Sequence, residues 1–168
     1  GYNDYQFIVV YNGKDKISNN RVKYVNIRSI DYLYYLCTSK YWVANSHIMG
    51  ELKPKKNQVY MQTWHAAGAF KKFGLDIIES EDDRDHEKLA WRKEAQNWDY
   101  LLCSSEEVRE IYSNAFGVSE DIIYPIGIPR NDCFYDKEKI LELKKYINSQ
   151  IGNNLGKKIV LYAPTFRD

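Results

Sequence analysis

The sequence has few cysteines and no long apolar run, and both absences exclude classes of protein. Its three cysteines, Cys37, Cys103 and Cys133, are odd in number and widely spaced among 168 residues. Such spacing argues against a disulfide framework or a zinc site and favours reduced thiols in small core positions. No apolar stretch approaches the roughly 20 residues that a membrane-spanning helix needs. We therefore expect a soluble, cytoplasmic protein without a metal centre.

Net charge and nucleotide-binding motifs are also lacking. The 24 basic and 23 acidic residues give a formal charge of +1, so the composition favours no nucleic-acid partner and any basic site must be local. No glycine fingerprint for dinucleotides follows an apolar run, and no Gly-Lys-Ser/Thr phosphate loop or Gly-x-Ser-x-Gly elbow occurs. These absences argue against ordinary dehydrogenases, NTPases and serine hydrolases.

What is present is an alternation of apolar runs and helical segments. The hydrophobic content of 44% suits a domain with its own core, in which we expect most of the 15 tyrosines to pack. The pattern predicts an α/β, Rossmann-like fold with a mainly parallel sheet flanked by helices. The predicted strands are residues 7–11, 22–26, 41–45, 59–64, 100–104, 122–126 and 159–163.

Capping residues and apolar spacing predict four helices. Ser29 is placed to cap a helix that begins near Ile30, and Ser104 or Ser105 to cap one that Gly117 ends. The longest candidate spans residues 79–98, opens with acidic residues and turns Leu89, Ala90 and Trp91 inward. The fourth helix covers residues 137–149.

The two ends of the chain predict a central piece of a longer protein. The apolar run at 159–163 follows a polar linker, and no returning helix follows it. An opening strand and helix are likewise missing before residues 7–11. We expect one Rossmann-like domain over residues 1–152, without its first strand, and a linker with the first strand of a second domain over residues 153–168.

His65 is the strongest candidate for chemistry. It follows the strand at 59–64, where open α/β sheets bind ligands, and histidine is the side chain typical of proton transfer at neutral pH. The small residues 66–68 leave room for a ligand, and Lys71 or Lys72 is placed to meet a phosphate. The alternative is a strand-terminal histidine bonded to backbone and followed by solvated lysines.

The other candidates are weaker. His47 follows a neighbouring strand and either lines the same cleft or, as we favour, is structural, whereas His86 lies on a charged helical face. Arg130 and Asp132 follow another strand in the segment Gly-Ile-Pro-Arg-Asn-Asp, where Arg130 either forks onto a phosphate or pairs with Asp132.

Four segments together resemble one enzyme family. They are Gln62-Thr-Trp-His65 with Lys71 and Gly74 downstream, Trp98-Asp99-Tyr100, Gly127-Ile-Pro-Arg-Asn-Asp132 and Tyr162-Ala-Pro-Thr-Phe-Arg-Asp168. In order and spacing they resemble the CDP-glycerol glycerophosphotransferases of teichoic acid synthesis, although Lys71 stands one residue later than in the commonest family pattern. The resemblance implies a two-domain GT-B architecture, of which this chain is the amino-proximal, acceptor-side half.

The resemblance also implies a function. His65 would act as general base on an acceptor hydroxyl that attacks CDP-glycerol or a related CDP-polyol, which is the donor substrate; no cofactor is implied. Six further residues would bind substrate or phosphate: Trp64, Gly68, Lys71, Arg130, Asp132 and Arg167. The expected partners are a lipid-linked polyol-phosphate acceptor and the inner face of the bacterial cytoplasmic membrane, to which the enzyme would bind peripherally. The oligomeric state is not indicated, and the isolated fragment is expected to be inactive.

Two alternatives remain open from the sequence. The same architecture serves sugar-nucleotide glycosyltransferases and epimerases, since a fold does not specify its chemistry. A non-catalytic module that binds the acceptor is the second alternative. The donor preference of the complete protein would distinguish the first, and acceptor binding without transfer would indicate the second.

Overall fold

A computed structural model describes residues 4–14, 16–48, 52–66, 68–77, 85–151 and 160–164. Within these ranges the chain alternates strands with helices. The strands are β1 (Phe7–Val10), β2 (Val22–Val25), β3 (Tyr41–Ala44), β4 (Val59–Gln62), β5 (Tyr100–Leu102) and β6 (Ile123–Tyr124). The α-helices are α1 (Ile30–Thr38), α2 (Asp85–Ala95), α3 (Arg109–Phe116) and α4 (Lys137–Gln150).

Every described strand pairing is parallel. β1 pairs with β2 in a two-stranded sheet, and the other strands form a four-stranded sheet in the order β3-β4-β5-β6. Along β4 the side chains alternate between half-buried and fully buried, as expected for a strand covered on both faces. The predicted α/β class with a mainly parallel sheet is confirmed, and β4 occupies an interior position in the larger sheet.

Two of the predicted capping residues mark helix ends, but the predicted cap at Ser104 or Ser105 is wrong. α3 begins only after Val108, and Ser105 precedes a 3₁₀ helix, Glu106–Val108, to which its side chain gives no capping hydrogen bond. Ser29 caps α1, and its hydroxyl accepts a hydrogen bond from the Tyr32 backbone N–H at 3.2 Å. Gly117 ends α3 in the left-handed conformation, with a φ of 66°. Such local signals are read correctly because a cap depends on neighbours within four residues.

The inward face of α2 was predicted wrongly at Leu89, while Ala90 and Trp91 are half-buried. Leu89 is 51% exposed, whereas Glu94 and Ala95 are buried at 2% and 1%. Glu94 is buried because three hydrogen-bond donors from other parts of the chain meet its carboxylate, which offsets the cost of removing it from water. The predicted start of this helix, residues 79–84, lies outside the described residues.

The core is mainly aromatic. Five aromatic side chains pack together at its centre: Trp42, Tyr60, Trp64, Trp98 and Phe116. Tyr112 packs against Phe116, and the smaller core residues are Leu101, Cys103 and Ile123. The aromatic rings meet mostly edge to face, at centroid distances of 4.9 to 6.4 Å, the geometry that aromatic pairs favour. The expectation that most tyrosines pack in the core is wrong. Among the described residues only Tyr32, Tyr60 and Tyr112 are buried, and nine tyrosines are exposed.

The chain divides into two compact units, residues 1–128 and 129–168. The second unit holds α4, which was predicted. The predicted strand at 159–163 is wrong for its described part: residues 160–164 have no regular secondary structure, and Val160, Leu161 and Tyr162 are exposed. A strand needs a neighbour for its backbone hydrogen bonds, and no described strand pairs with this segment. The boundary expected at residue 152 stays a prediction.

Candidate functional site

The carboxyl ends of β3 and β4 place two histidine-bearing loops side by side. Because the strands are parallel and in register from Tyr41↔Val59 to Ala44↔Gln62, the segments that follow them leave the same edge of the sheet. Asn45, Ser46 and His47 follow β3, and the segment with His65 follows β4. This is the edge at which open α/β sheets bind ligands.

A left-handed residue separates the buried and exposed parts of the second loop. Trp64 has a φ of 54°, which is unusual for a bulky side chain and costs on the order of 1–3 kcal/mol. Its backbone N–H donates to Oε1 of Gln62 at 2.9 Å, and its ring packs into the core against Phe116 and Phe73. The turn sends Trp64 inward and leaves His65 exposed at the sheet edge, so the predicted position of His65 is confirmed.

The hydrogen bond made by His65 decides which ring nitrogen carries the lone pair. Its Nδ1 lies 2.9 Å from the backbone oxygen of Asn45. Because a carbonyl oxygen only accepts, the hydrogen must be on Nδ1, and in the neutral ring Nε2 is then the unprotonated nitrogen. An imidazole held in this way has the proton arrangement of a general base.

Gln62 ties the two loops together. This side chain is completely buried, its amide nitrogen donates to the backbone oxygen of Ser46 at 3.1 Å, and its oxygen accepts from Trp64. Beside it, both the backbone N–H and the hydroxyl of Thr63 donate to the backbone oxygen of Ala44. The position of His65 is therefore supported from both strands.

His47 belongs to a buried hydrogen-bond network. Its Nδ1 lies 2.6 Å from Oε2 of Glu94, whose Oε1 accepts from the Tyr60 hydroxyl and from the Ile48 backbone N–H, both at 2.8 Å. The ring stacks parallel to Trp91 at 5.5 Å and meets the edge of Trp64. Burial, with the nearby Glu94 carboxylate, raises the pKa of Tyr60 far above its usual value. The structural interpretation of His47 thus has direct support.

The other predicted site residues that the structure describes are distributed over both compact units. Trp64 makes core contacts, so its predicted contact with substrate stays a prediction. Gly68 is half-buried and Lys71 is exposed, both in the segment after His65. Arg130 and Asp132 are exposed in the second compact unit, on a 3₁₀ helix, Pro129–Phe134, and Arg167 lies outside the described residues. Their roles at the site stay predictions.

Glu94 and the backbone oxygen of Asn45 were missed by the sequence-based interpretation. Gln62 was noticed only as part of a motif and was given no role. A glutamine inside an otherwise apolar strand was a usable signal, since buried polar side chains require partners. The burial of Glu94 had no local signal, because its partners His47 and Tyr60 lie 47 and 34 residues away.

A concave region lies at the opposite edge of the sheet from His65. It is a cavity of about 450 Å³ lined by residues 37–40, 55, 57 and 58, which precede β3 and β4. Two of its polar side chains bond to the protein backbone: Gln58 donates to the backbone oxygens of Leu36 and Ser39, and Lys55 to that of Cys37. The candidate site is therefore the carboxyl edge. Among the described residues no three histidine, cysteine or acidic side chains are grouped to hold a metal ion.

The fold and the histidine-bearing edge define an α/β domain of the kind that binds ligands where parallel strands end. The model of the CDP-glycerol:poly(glycerophosphate) glycerophosphotransferase family matches residues 2–168, and the chain belongs to this family. It is 37% identical over 170 residues to a teichoic acid poly(glycerol phosphate) polymerase of Bacillus spizizenii, covering 98% of this chain and 42% of that protein. It is 34% identical over 152 residues to a teichoic acid glycerol-phosphate transferase of Staphylococcus aureus, covering 89% and 39%.

A solved structure agrees with this assignment. The wall teichoic acid polymerase TagF superposes with a TM-score of 0.85 at 29% sequence identity, covering 99% of this chain and 41% of that one. The chain therefore spans about two fifths of the length of the relatives that it matches. The resemblance noted from the four sequence segments is confirmed.

Proposed function

We propose that the complete protein transfers glycerol phosphate, or a related polyol phosphate, from a CDP-activated donor to a teichoic acid or similar cell-wall polymer. The family supports the reaction class. The observation that supports a role for this chain is the geometry of His65, exposed at the carboxyl edge with its Nδ1 hydrogen directed at Asn45. In the neutral ring Nε2 is then the nitrogen whose lone pair can accept a proton.

The proposed step is a displacement at phosphorus. Nε2 of His65 takes the proton of an acceptor hydroxyl while that oxygen attacks the β-phosphorus of the CDP-polyol. A new phosphorus–oxygen bond forms, the bond to the bridging oxygen breaks, and CMP leaves with the electron pair. Lys71, Arg130 and Arg167 would balance charge on the transferred group, and Trp64, Gly68 and Asp132 would line the site. Such catalysis depends mainly on positioning and electrostatics.

The proposal extends to the architecture and the setting of the enzyme. This chain would be the acceptor-side half of a GT-B enzyme, inactive by itself, and the acceptor would be lipid-linked at the inner face of the cytoplasmic membrane. No helix among the described residues is both long and apolar enough to cross a membrane. We propose a peripheral association, for which the support is the teichoic acid polymerases among the relatives.

Substitution of His65 in the complete protein tests the proposal. His65→Gln should lower CMP release from CDP-glycerol, measured with a lipid-linked acceptor, by about two to four orders of magnitude, the range typical for loss of a general base. His86→Gln is the matched control, because His86 is exposed on α2, and it should keep its turnover. Near-normal turnover of His65→Gln would remove His65 from the mechanism.

The same assay separates the alternatives when donors and acceptor are varied. CDP-glycerol or CDP-ribitol as the preferred donor supports polyol-phosphate transfer. Preference for a UDP-sugar would instead indicate a glycosyltransferase or an epimerase. Binding of the acceptor without transfer from any donor would indicate a non-catalytic module and contradict the proposal.

A further inference from the structure

Glu94 is a buried carboxylate whose partners all come from other parts of the chain. It is 2% exposed, lies on α2 and accepts three hydrogen bonds, from Nδ1 of His47, the Ile48 backbone N–H and the Tyr60 hydroxyl. A carboxylate removed from water is costly unless such donors satisfy it. The arrangement therefore holds these groups in a specific geometry.

Two of the three donors belong to the loop that follows β3. That loop, residues 45–48, also provides the backbone oxygen of Asn45 to His65 and the backbone oxygen of Ser46 to Gln62. Glu94 thus anchors one end of a four-residue segment whose other end holds His65. Trp91 strengthens the anchor, because its ring stacks on His47 with an interplanar angle of 6°.

The Trp64 ring contacts the imidazoles of both His47 and His65, in addition to the hydrogen bonds of the loop. Its ring centroid is 5.5 Å from that of His47 and 4.1 Å from that of His65. A rotation of His47 out of its contact with Glu94 would therefore disturb both the loop after β3 and the indole beside His65. The left-handed backbone of Trp64 makes this indole sensitive to its surroundings, because a strained conformation persists only where neighbouring contacts impose it.

We propose that Glu94 is a positioning residue for His65. By holding His47 and Ile48, it directs the backbone oxygen of Asn45 at Nδ1 of His65 and maintains the tautomer that is unprotonated at Nε2. Glu94 has no contact with substrate in this account. Its effect on the tautomer is independent of the reaction catalysed, whereas its effect on turnover rests on the proposed function.

The tautomer of His65 is measurable by ¹⁵N chemical shifts in the complete protein labelled at histidine. The His65 signals are identified by their absence from the spectrum of His65→Gln. With the ring neutral, the unsubstituted protein should carry the hydrogen on Nδ1. In Glu94→Gln the single amide oxygen can face either His47 Nδ1 or the Ile48 N–H and the Tyr60 hydroxyl, so one anchor of the loop loses its acceptor. The fraction of His65 with hydrogen on Nε2 should then rise. Glu110→Gln, an exposed helical position, should leave the His65 signals unchanged.

Two substitutions of His47 supply the matched comparison. His47→Asn places an amide N–H where Nδ1 stands and preserves the donor to Glu94, whereas His47→Leu removes it. We expect His47→Asn to retain the tautomer of His65 and His47→Leu to lose it. This comparison also keeps the inference testable if Glu94→Gln does not fold, as judged by circular dichroism.

Turnover should follow the tautomer. Loss of one orienting hydrogen bond corresponds to an effect of about tenfold, so Glu94→Gln and His47→Leu should lower kcat by about that factor and leave KM for the donor unchanged. His47→Asn should keep its kcat. An unchanged His65 tautomer in Glu94→Gln would overturn the inference. A large loss of kcat in His47→Asn with the tautomer retained would also overturn it and would assign His47 a direct contact with substrate.

The outcomes for this inference differ from those for the proposed function. If His65→Gln remains active while Glu94→Gln changes the tautomer, the proposed mechanism fails and the positioning of His65 stands. If His65→Gln is inactive while Glu94→Gln changes neither tautomer nor kcat, the mechanism stands and the positioning role fails.

Discussion

The side-chain amide of Gln62 donates to the backbone oxygen of Ser46 across the carboxyl edge of the sheet, at 3.1 Å. A second buried glutamine, Gln58, stands just before the same strand and bonds to the backbone oxygens of Leu36 and Ser39 at 2.9 and 2.5 Å. A buried glutamine therefore lies at each end of β4, and each donates to the backbone of the neighbouring segments at its edge of the sheet. The candidate site lies at one of these edges, which makes the pair a natural comparison.

Gln62→Leu should both destabilise the protein and impair its activity. The substitution leaves the Ser46 oxygen and the Trp64 N–H without their side-chain partner, at a cost of about 1–3 kcal/mol in the free energy of unfolding. Because the same bonds support the His65 loop, turnover of the complete protein should fall as well. Urea unfolding and a CMP-release assay measure the two effects.

Gln58→Leu is the control for that prediction. This substitution also removes the hydrogen bonds of a buried glutamine. It should reduce the free energy of unfolding by a similar amount, while turnover is retained. Equal losses of turnover in the two variants would show that Gln62 acts through general stability and not through the loop.

Gly74→Ala should destabilise the protein strongly. Gly74 has a φ of +60°, and a Cβ added there would lie 2.2 Å from the backbone oxygen of Ala115. Strain in the left-handed region and displacement of a backbone atom together should cost about 3 kcal/mol or more in unfolding free energy. Gly127→Ala is the control, since its φ is +87° but no atom lies within 4 Å; it should cost about 1 kcal/mol. A smaller loss for Gly74→Ala than for Gly127→Ala would contradict the close approach to α3.

Alkaline pH should destabilise the protein through two buried tyrosines. Burial, together with the Glu94 carboxylate, raises the pKa of Tyr60 well above the ordinary value of 10.0, and burial raises the pKa of Tyr112 to about 12. Above pH 10 the unfolded chain loses these protons while the folded protein keeps them, so the unfolded state binds fewer protons and stability falls with rising pH. Each tyrosine contributes a slope of about 1.4 kcal/mol per pH unit.

Urea unfolding between pH 9 and pH 11.5 measures that slope. Tyr112→Phe should remove about half of the contribution of the pair, because phenylalanine cannot ionise. An unfolding free energy that stays constant over this range, or a slope that Tyr112→Phe does not change, would be inconsistent with two buried phenols.

Thiol labelling should distinguish the cysteines. Cys103 is completely buried, and burial raises the pKa of its thiol, whose Sγ–H donates to the backbone oxygen of Ser105. Cys37 is exposed. Because the thiolate is the reactive form, a maleimide at pH 7.5 should modify Cys37 quickly and Cys103 only after unfolding, as read by mass spectrometry. Rapid labelling of native Cys103 would contradict the packing of β5.

Most of the correct predictions rested on short-range sequence patterns. Ser29 and Gly117 mark helix ends through contacts within one turn, and short apolar runs located β1 to β6 within about two residues. Predictions failed where distant residues decide the outcome. Leu89 was expected inside because it is apolar, yet α2 turns Glu94 inward. Residues 159–163 were expected as a strand, although no described strand pairs with residues 160–163.

The amino-acid sequence by itself determined the α/β class, the position of His65 at the end of a strand and the membership of the family, because these depend on periodicity and short motifs. Only the tertiary structure decided the tautomer of His65, through the oxygen of Asn45 20 residues away, and the burial of Glu94. Hydrogen bonds over such separations depend on how the strands and helices pack, and no pattern of neighbouring residues encodes that packing.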